Sequence, residues 1–384
     1  MATGSLRLLG LVGILALMGC SGDSASDAFE PTPQPVEGST PIGFVGSMQE
    51  ETAVTRATLP EKGVNSFTVY GFKNRAYDAA DGYTGPQQVF PGYVVNYIAN
   101  SASTTTTNSD NWEYVNQQPA GQDEQTVKYW DWSAKAYRFF AVAGTSRTNT
   151  VTGTYIPDAT NPHAYEVTYR ADAQNEADVP YYSHLWFSAG GPGEKPFGQP
   201  VQLQFIKPLS KVRIVFIFEE NIDPGTTYAT ANTLTDISFR PTSGNTIKLK
   251  GNVTVTYHLI GTETTETFAA TAEAEGTTTF TTDYYTTKEV GGETVYPYYN
   301  ANGHTPKEYT VLPVTGQGTY RLTVSVDGEP KTTIVPAEFM DWQPSYEYTY
   351  IFKIHVDKSV EISSVQSAFT QWTMHEAEHT VHNW

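Results

Sequence analysis

Near the C-terminus, His375-Glu376-Ala377-Glu378-His379 matches the spacing H-E-x-x-H. On a helix this spacing puts two imidazoles on one face for Zn²⁺ and leaves the Glu as general base. Here the motif ends five residues from the chain end, and only His382 follows as a further ligand. The preceding Phe369-Thr370-Gln371-Trp372-Thr373 reads as extended, so incidental metal affinity or a solvated tail fits better than a protease. Gly190-Gly191-Pro192-Gly193 lacks the Gly-Lys-Ser/Thr of a phosphate loop and reads as a hairpin loop. There is no Gly-x-Ser-x-Gly elbow. Glu50-Glu51 and Glu219-Glu220 are sequence neighbours, which on a strand face opposite sides and cannot act together. No catalytic set assembles, so the expectation is a protein that is not an enzyme, with no metal and no cofactor.

Aromatic residues offer a different chemistry. Tyr181-Tyr182, Tyr284-Tyr285 and Tyr298-Tyr299, with seven Trp, present flat rings that could stack on sugars. The competing use of the same residues is cross-strand packing in β-sandwiches, and composition favours it. Aromatics make up 13% of the 384 residues and charged residues only 17%, with Thr, Tyr and Val prominent. Such residues suit half-buried pleated surfaces, so the composition predicts an all-β chain. The net charge of −18 repels phosphate backbones and argues against a nucleic-acid partner.

The single cysteine, Cys20, rules out an intramolecular disulfide. Its setting gives it another role. Arg7 supplies a positive start, Leu8 to Met18 an apolar run, and Leu17-Met18-Gly19-Cys20 closes the segment. Residues 1–20 therefore read as a signal peptide too short to be a permanent span. Leu-x-Gly-Cys resembles a bacterial lipobox, whose Cys is acylated by palmitate-type chains and becomes the mature N-terminus. The alternative is an ordinary signal peptide with a chance cysteine. Behind it, Ser21–Thr40 carries Pro31, Pro33, Pro35, Asp23, Asp27, Glu30 and Glu37, the composition of a tether.

From Pro41 onward short strand patterns follow one another. Ile42 and Phe44 lie in a brief apolar run, and Val64–Phe72 alternates. Further strands are expected at Val94–Ile98, Tyr137–Val142, Tyr165–Tyr169, Val201–Phe205 and, most strongly, Lys211–Phe218. Then come Ile247–Leu249, Asn252–Leu259, Thr278–Thr282, Thr310–Pro313, Tyr320–Val326 and Tyr346–Val356. Asn302-Gly303 and Asp327-Gly328 mark turns. No amphipathic helix of two or more turns stands out. Polar residues 221–235 are the expected junction, giving a tether to residue 56, one sandwich over 57–225 and a second over 226–384.

Several segments, in this order, resemble the fimbrillin family, the type V pilus subunits of Bacteroides-like bacteria. They are the lipobox at Cys20, Thr55-Arg56-Ala57-Thr58 before a Phe-rich strand, His184-Leu185-Trp186-Phe187-Ser188, and Lys207-Pro208-Leu209-Ser210-Lys211-Val212-Arg213. Asp341-Trp342-Gln343-Pro344-Ser345-Tyr346-Glu347-Tyr348-Thr349-Tyr350 and the strand-like stretch Val360–Trp372 complete the series.

The resemblance implies two tandem transthyretin-like β-sandwiches and an outer-membrane lipoprotein precursor that ends in a cell-surface fimbrium, supporting adhesion. It implies an Arg-specific surface protease as a partner, cutting at Arg56–Ala57. The strand removed by that cut would contain Ile42, Phe44 and Val54. Other pilin subunits would then fill the vacancy with a donor segment, for which Val360, Ile362, Val365, Phe369 and Trp372 are the candidate plugs. The alternative is a surface lipoprotein that never polymerises and binds glycan or protein ligands.

Overall fold

The computed structural model describes residues 40–48, 64–74, 85–98, 107–144, 151–157, 163–189, 197–218, 234–243, 247–261, 266–276, 288–290, 293–295, 308–313, 316 and 318–369. Among these, strands dominate and the helical elements are two 3₁₀ turns, Ala173–Asp178 and Ala337–Phe339. The all-β expectation holds.

The first strands are β1 (Phe44–Met48), β2 (Ser66–Asn74), β3 (Gln87–Tyr97), β4 (Trp112–Glu113) and β5 (Ala136–Ala143). They are followed by β6 (Thr152–Ile156), β7 (Ala164–Asp172), β8 (Tyr181–Ser183), β9 (Trp186–Ser188), β10 (Val201–Ile206) and β11 (Ser210–Phe218). The remaining strands begin with β12 (Leu234–Pro241), β13 (Ile247–His258), β14 (Glu266–Gly276), β15 (Lys288–Val290) and β16 (Glu293–Val295). The last are β17 (Tyr309–Val311), β18 (Tyr320–Val326), β19 (Glu329–Val335), β20 (Tyr346–Ile354) and β21 (Val360–Phe369).

The largest sheet runs β1-β10-β8-β5-β2-β3-β4, with β9 also on β5. Every residue of β5 (AYRFFAVA) is buried, as a strand with neighbours on both edges and cover on both faces requires. A second sheet, β14-β13-β7-β6, stacks Tyr257 on Phe140 of β5 with ring centres 3.9 Å apart. The sheets β17-β11-β20-β21 and β12-β18-β19 meet through Phe239, Tyr320, Tyr350 and Phe352. β18 alternates buried and half-exposed residues with period two. Asp327 and Gly328 both have positive φ and join β18 to β19 as the mirror-image turn that an Asp-Gly pair favours.

The ladders join strands from either side of residue 225. β7 pairs antiparallel with β13 from Asp172↔Lys250 to Ala164↔His258. β11 pairs parallel with β20 from Lys211↔Glu347 to Phe218↔Ile354. Edge-to-edge hydrogen bonding decides sheet membership, and chain order alone does not reveal it.

Candidate functional site

The first strand sits in a seat built from three parts of the chain. β1 is the edge of the largest sheet and pairs parallel with β10, Phe44↔Val201 through Met48↔Phe205. Just before it, the Ile42 N–H donates to the Lys128 carbonyl at 2.8 Å, and the Trp130 N–H donates to the Thr40 carbonyl at 3.0 Å. The Tyr114 hydroxyl donates to the Ile42 carbonyl at 2.9 Å. Burial pushes the Tyr114 hydroxyl pKa up, so this donor keeps its proton.

Most side chains of β1, and that of Ile42 just before it, are core residues, while Val45 is half-buried. Ile42, Phe44 and Met48 are all buried. The Phe44 ring meets Phe90, Phe139 and Tyr114 edge-on, at 5.0, 5.5 and 6.0 Å between centres. Such T-shaped contacts add to burial because the positive ring edge faces the negative ring face. Gly43 lies against Ser109 and the Thr107 carbonyl so closely that a Cβ there would collide.

The loop that receives Thr40 and Ile42 is braced. Burial alone would raise the Asp131 carboxyl, but Lys73 at 2.6 Å and the Ser133 hydroxyl and N–H hold it at about 2. The Tyr137 hydroxyl accepts from the Asp131 N–H at 2.6 Å. One strand of five residues is thus held by β10, by 128–130 and by a ring pocket.

β21 is the edge of its own sheet, with β20 as its ladder partner. Val360, Ile362 and Val365 are half-buried and pack on the core, while Glu361, Ser363, Ser364, Gln366 and Ser367 are exposed. The 360-362-365 spacing breaks period two because Ser363 is an extra residue opposite the Ile351/Phe352 step. A bulge of this kind shifts the following residues to the other phase.

Ile42 and Phe44 come together in the seat, and Val360, Ile362 and Val365 share one face of β21. Cys20, Val54, Arg56, Ala57, Trp372 and the His375–His379 motif lie outside the described residues, as does the side chain of Phe369. So do Gly190–Gly193, both Glu pairs, Tyr284-Tyr285 and Tyr298-Tyr299. Tyr181 and Tyr182 are buried, as are Trp112, Trp130, Trp186 and Trp342, which assigns these rings to packing.

Sequence reasoning missed a cleft of about 430 Å³ lined in part by His184, Glu266, Phe268, Trp342, Gln343 and Tyr346. His184 Nδ1 lies 2.6 Å from Glu266 Oε1, and the Leu185 N–H donates to Glu266 Oε2 at 2.6 Å. Its residues are 82 positions apart in the chain, so no local signal could have announced it. Among the described residues no group of three or more His, Cys, Asp or Glu is placed to hold a metal ion.

No family model and no curated protein matches the chain. Among solved structures it is similar to a fimbrial protein from Bacteroides vulgatus, with 13% identity and a TM-score of 0.43 over 85% of this chain and 99% of that one. It is similar to a candidate cell adhesion protein from Bacteroides uniformis, with 16% identity and a TM-score of 0.37 over 88% of this chain and 100% of that one. It is also similar to a fimbrial assembly protein from Parabacteroides distasonis, with 10% identity and a TM-score of 0.31 over 84% and 98%. By description these fall in the fimbrial and cell-adhesion class that the sequence resemblance names. At such identities and TM-scores, none of them carries a role over to this chain.

Proposed function

We propose that this chain is a structural, non-enzymatic subunit of a cell-surface fimbria that polymerises by exchanging its first strand. The observation that carries the reading is that β1 is at once an edge strand and a core element. Between Met48 and Val64 runs the link that contains Arg56–Ala57. Cutting that link would free β1, and its departure would uncover Phe90, Tyr114 and Phe139 together with the ladder groups of β10.

An open apolar trough beside unpaired N–H and C=O groups is costly in water. A strand from another subunit restores both contacts at once. Because the donor and the seat are different surfaces, the contact is heterologous and subunits chain into a filament. Val360, Ile362, Val365, Phe369 and Trp372 supply the donor in this reading, and acylation at Cys20 anchors the precursor to the outer membrane until processing.

The test is Arg-specific proteolysis of the purified chain without residues 1–20, followed by N-terminal sequencing and an unboiled gel. A new N-terminus at Ala57 with detergent-resistant multimers supports strand exchange. Resistance at Arg56 moves the reading to a lipoprotein that never polymerises. The cleft beside His184 and Glu266 favours that second reading, because it offers aromatic and hydrogen-bonding groups to a glycan or peptide.

A further inference from the structure

The cleft of about 430 Å³ is walled by three pieces of chain: the β8–β9 connection at His184, the start of β14 at Glu266 and Phe268, and the approach to β20 from Trp342 to Tyr346. Each wall is braced from behind. Nδ1 of His184 and the Leu185 N–H both hold the Glu266 carboxylate at 2.6 Å. The Gln343 N–H donates to the Tyr348 hydroxyl at 2.8 Å, and the Gln343 carbonyl accepts from the Ser210 hydroxyl at 2.7 Å. The Trp342 indole N–H donates to the Tyr350 hydroxyl at 2.9 Å, which fixes that buried ring. Phe268, half-buried, stacks on the buried Tyr182 with ring centres 6.0 Å apart. Groups held this firmly lose little freedom when a ligand arrives.

The bracing leaves a particular chemistry facing the cleft. A carboxylate accepts at about four positions, so Glu266 can still take donors from a ligand beside the two it has. The exposed Gln343 amide both donates and accepts. Phe268 and Tyr346, both half-buried, add flat apolar rings. An anion would meet the Glu266 carboxylate and a chain of net charge −18. A cation would use the carboxylate and leave the amide idle. An extended peptide binds chiefly through main-chain bonds along an open strand edge, whereas here the polar groups are side chains on opposite walls. Hydroxyls on a ring with an apolar C–H face match every group.

Resting on the ligand-binding reading of the cleft, we infer that it holds one neutral pyranose residue, its hydroxyls on Glu266 and Gln343 and its apolar face on Tyr346 or Phe268. No residue of β1 or β21 lines the cleft, so the inference is independent of strand exchange.

The test is saturation-transfer NMR on the unprocessed full chain. The probes are the methyl β-glycosides of glucose, galactose and N-acetylglucosamine, with sialic acid as the anionic sugar and N-acetyl-lysine methylamide as the peptide-like cation. At least one neutral glycoside should bind, with a dissociation constant of about 1 mM for so small a ligand. Tyr346→Ala should weaken it about tenfold, as loss of a stacking ring does. Gln343→Ala, which removes only an exposed side chain, should weaken it about fivefold without lowering the melting temperature. Binding that both variants leave unchanged would place the sugar elsewhere and overturn the inference. Preference for sialic acid or for the lysine probe would overturn the neutral sugar while keeping a ligand site. Binding of none of the probes would overturn the ligand-binding reading as well.

Discussion

The ammonium of Lys207 donates to the Val179 carbonyl at 2.5 Å and stands 4.3 Å from the centre of the buried Tyr181 ring. The Lys207 backbone is clasped by Ser345, whose hydroxyl accepts from its N–H at 2.7 Å and donates to its carbonyl at 2.9 Å. A lysine at 2% exposure thus ties the end of β10 to the approach to β20.

Burial lowers the Lys207 pKa to about 7, although Glu176 and Asp178 pull it upward. In the unfolded chain the group titrates near its ordinary value. Between the two values the unfolded chain holds a proton that the folded chain has released, so stability rises with pH. Below the lower value the full burden of the buried charge remains. Urea unfolding midpoints should therefore climb between about pH 6.5 and pH 9.5, and Lys207→Met should flatten that climb.

Tyrosines set the opposite limit. Burial raises Tyr114, Tyr165, Tyr169, Tyr181, Tyr182, Tyr257, Tyr320 and Tyr350. Above about pH 10 the unfolded chain loses phenolic protons that the folded chain retains, and stability falls. Tyrosinate absorbance should rise in one step together with the loss of folded structure. A gradual titration of a still-folded chain would refute this.

Phe44→Ala should loosen the first strand. Removing a buried ring from an aromatic pocket costs about 3–5 kcal/mol. The loss falls on an edge strand, so Arg-specific cleavage of the unprocessed chain should accelerate more than global unfolding does. Phe44→Leu should lie between.

Glu266→Ala removes the acceptor of the Leu185 N–H, whose residue is only 6% exposed, and the carboxylate beside His184. A buried donor left without its acceptor costs about 1–3 kcal/mol, so the melting temperature should drop measurably. Glu266→Gln, which keeps an acceptor oxygen, should recover part of it.

Strongly patterned strands were legible in the sequence. Lys211–Phe218 lies within β11, Tyr320–Val326 is β18, and the Asp327-Gly328 turn follows it. Ile247–Leu249 and Asn252–Leu259, read as two, form one long strand, β13, whose register shifts around Lys250. β14 (ETFAATAEAEG) escaped because Ala and Glu favour helices, and ten ladder pairs with β13 override that preference. β6 (TGTYI) is short and exposed, so it has no alternation to read. In the seat, the apolar character of Ile42 and Phe44 was visible, but the need for glycine at 43 was not. That need comes from Ser109, 66 residues away, and distance in the chain hides it.

The crossing ladders also bear on how the chain acquires its shape. β11 lies between β17 and β20, which begin at Tyr309 and Tyr346. Its apolar residues Val212, Ile214 and Phe216 have no ladder partners on either edge until roughly the last fifth of the chain is made, since β17 begins at Tyr309 of 384 residues. Such late closure keeps the polypeptide threadable for most of its synthesis, and it leaves the apolar β11 unpaired on both edges, and so prone to aggregate, in a product truncated before Tyr309.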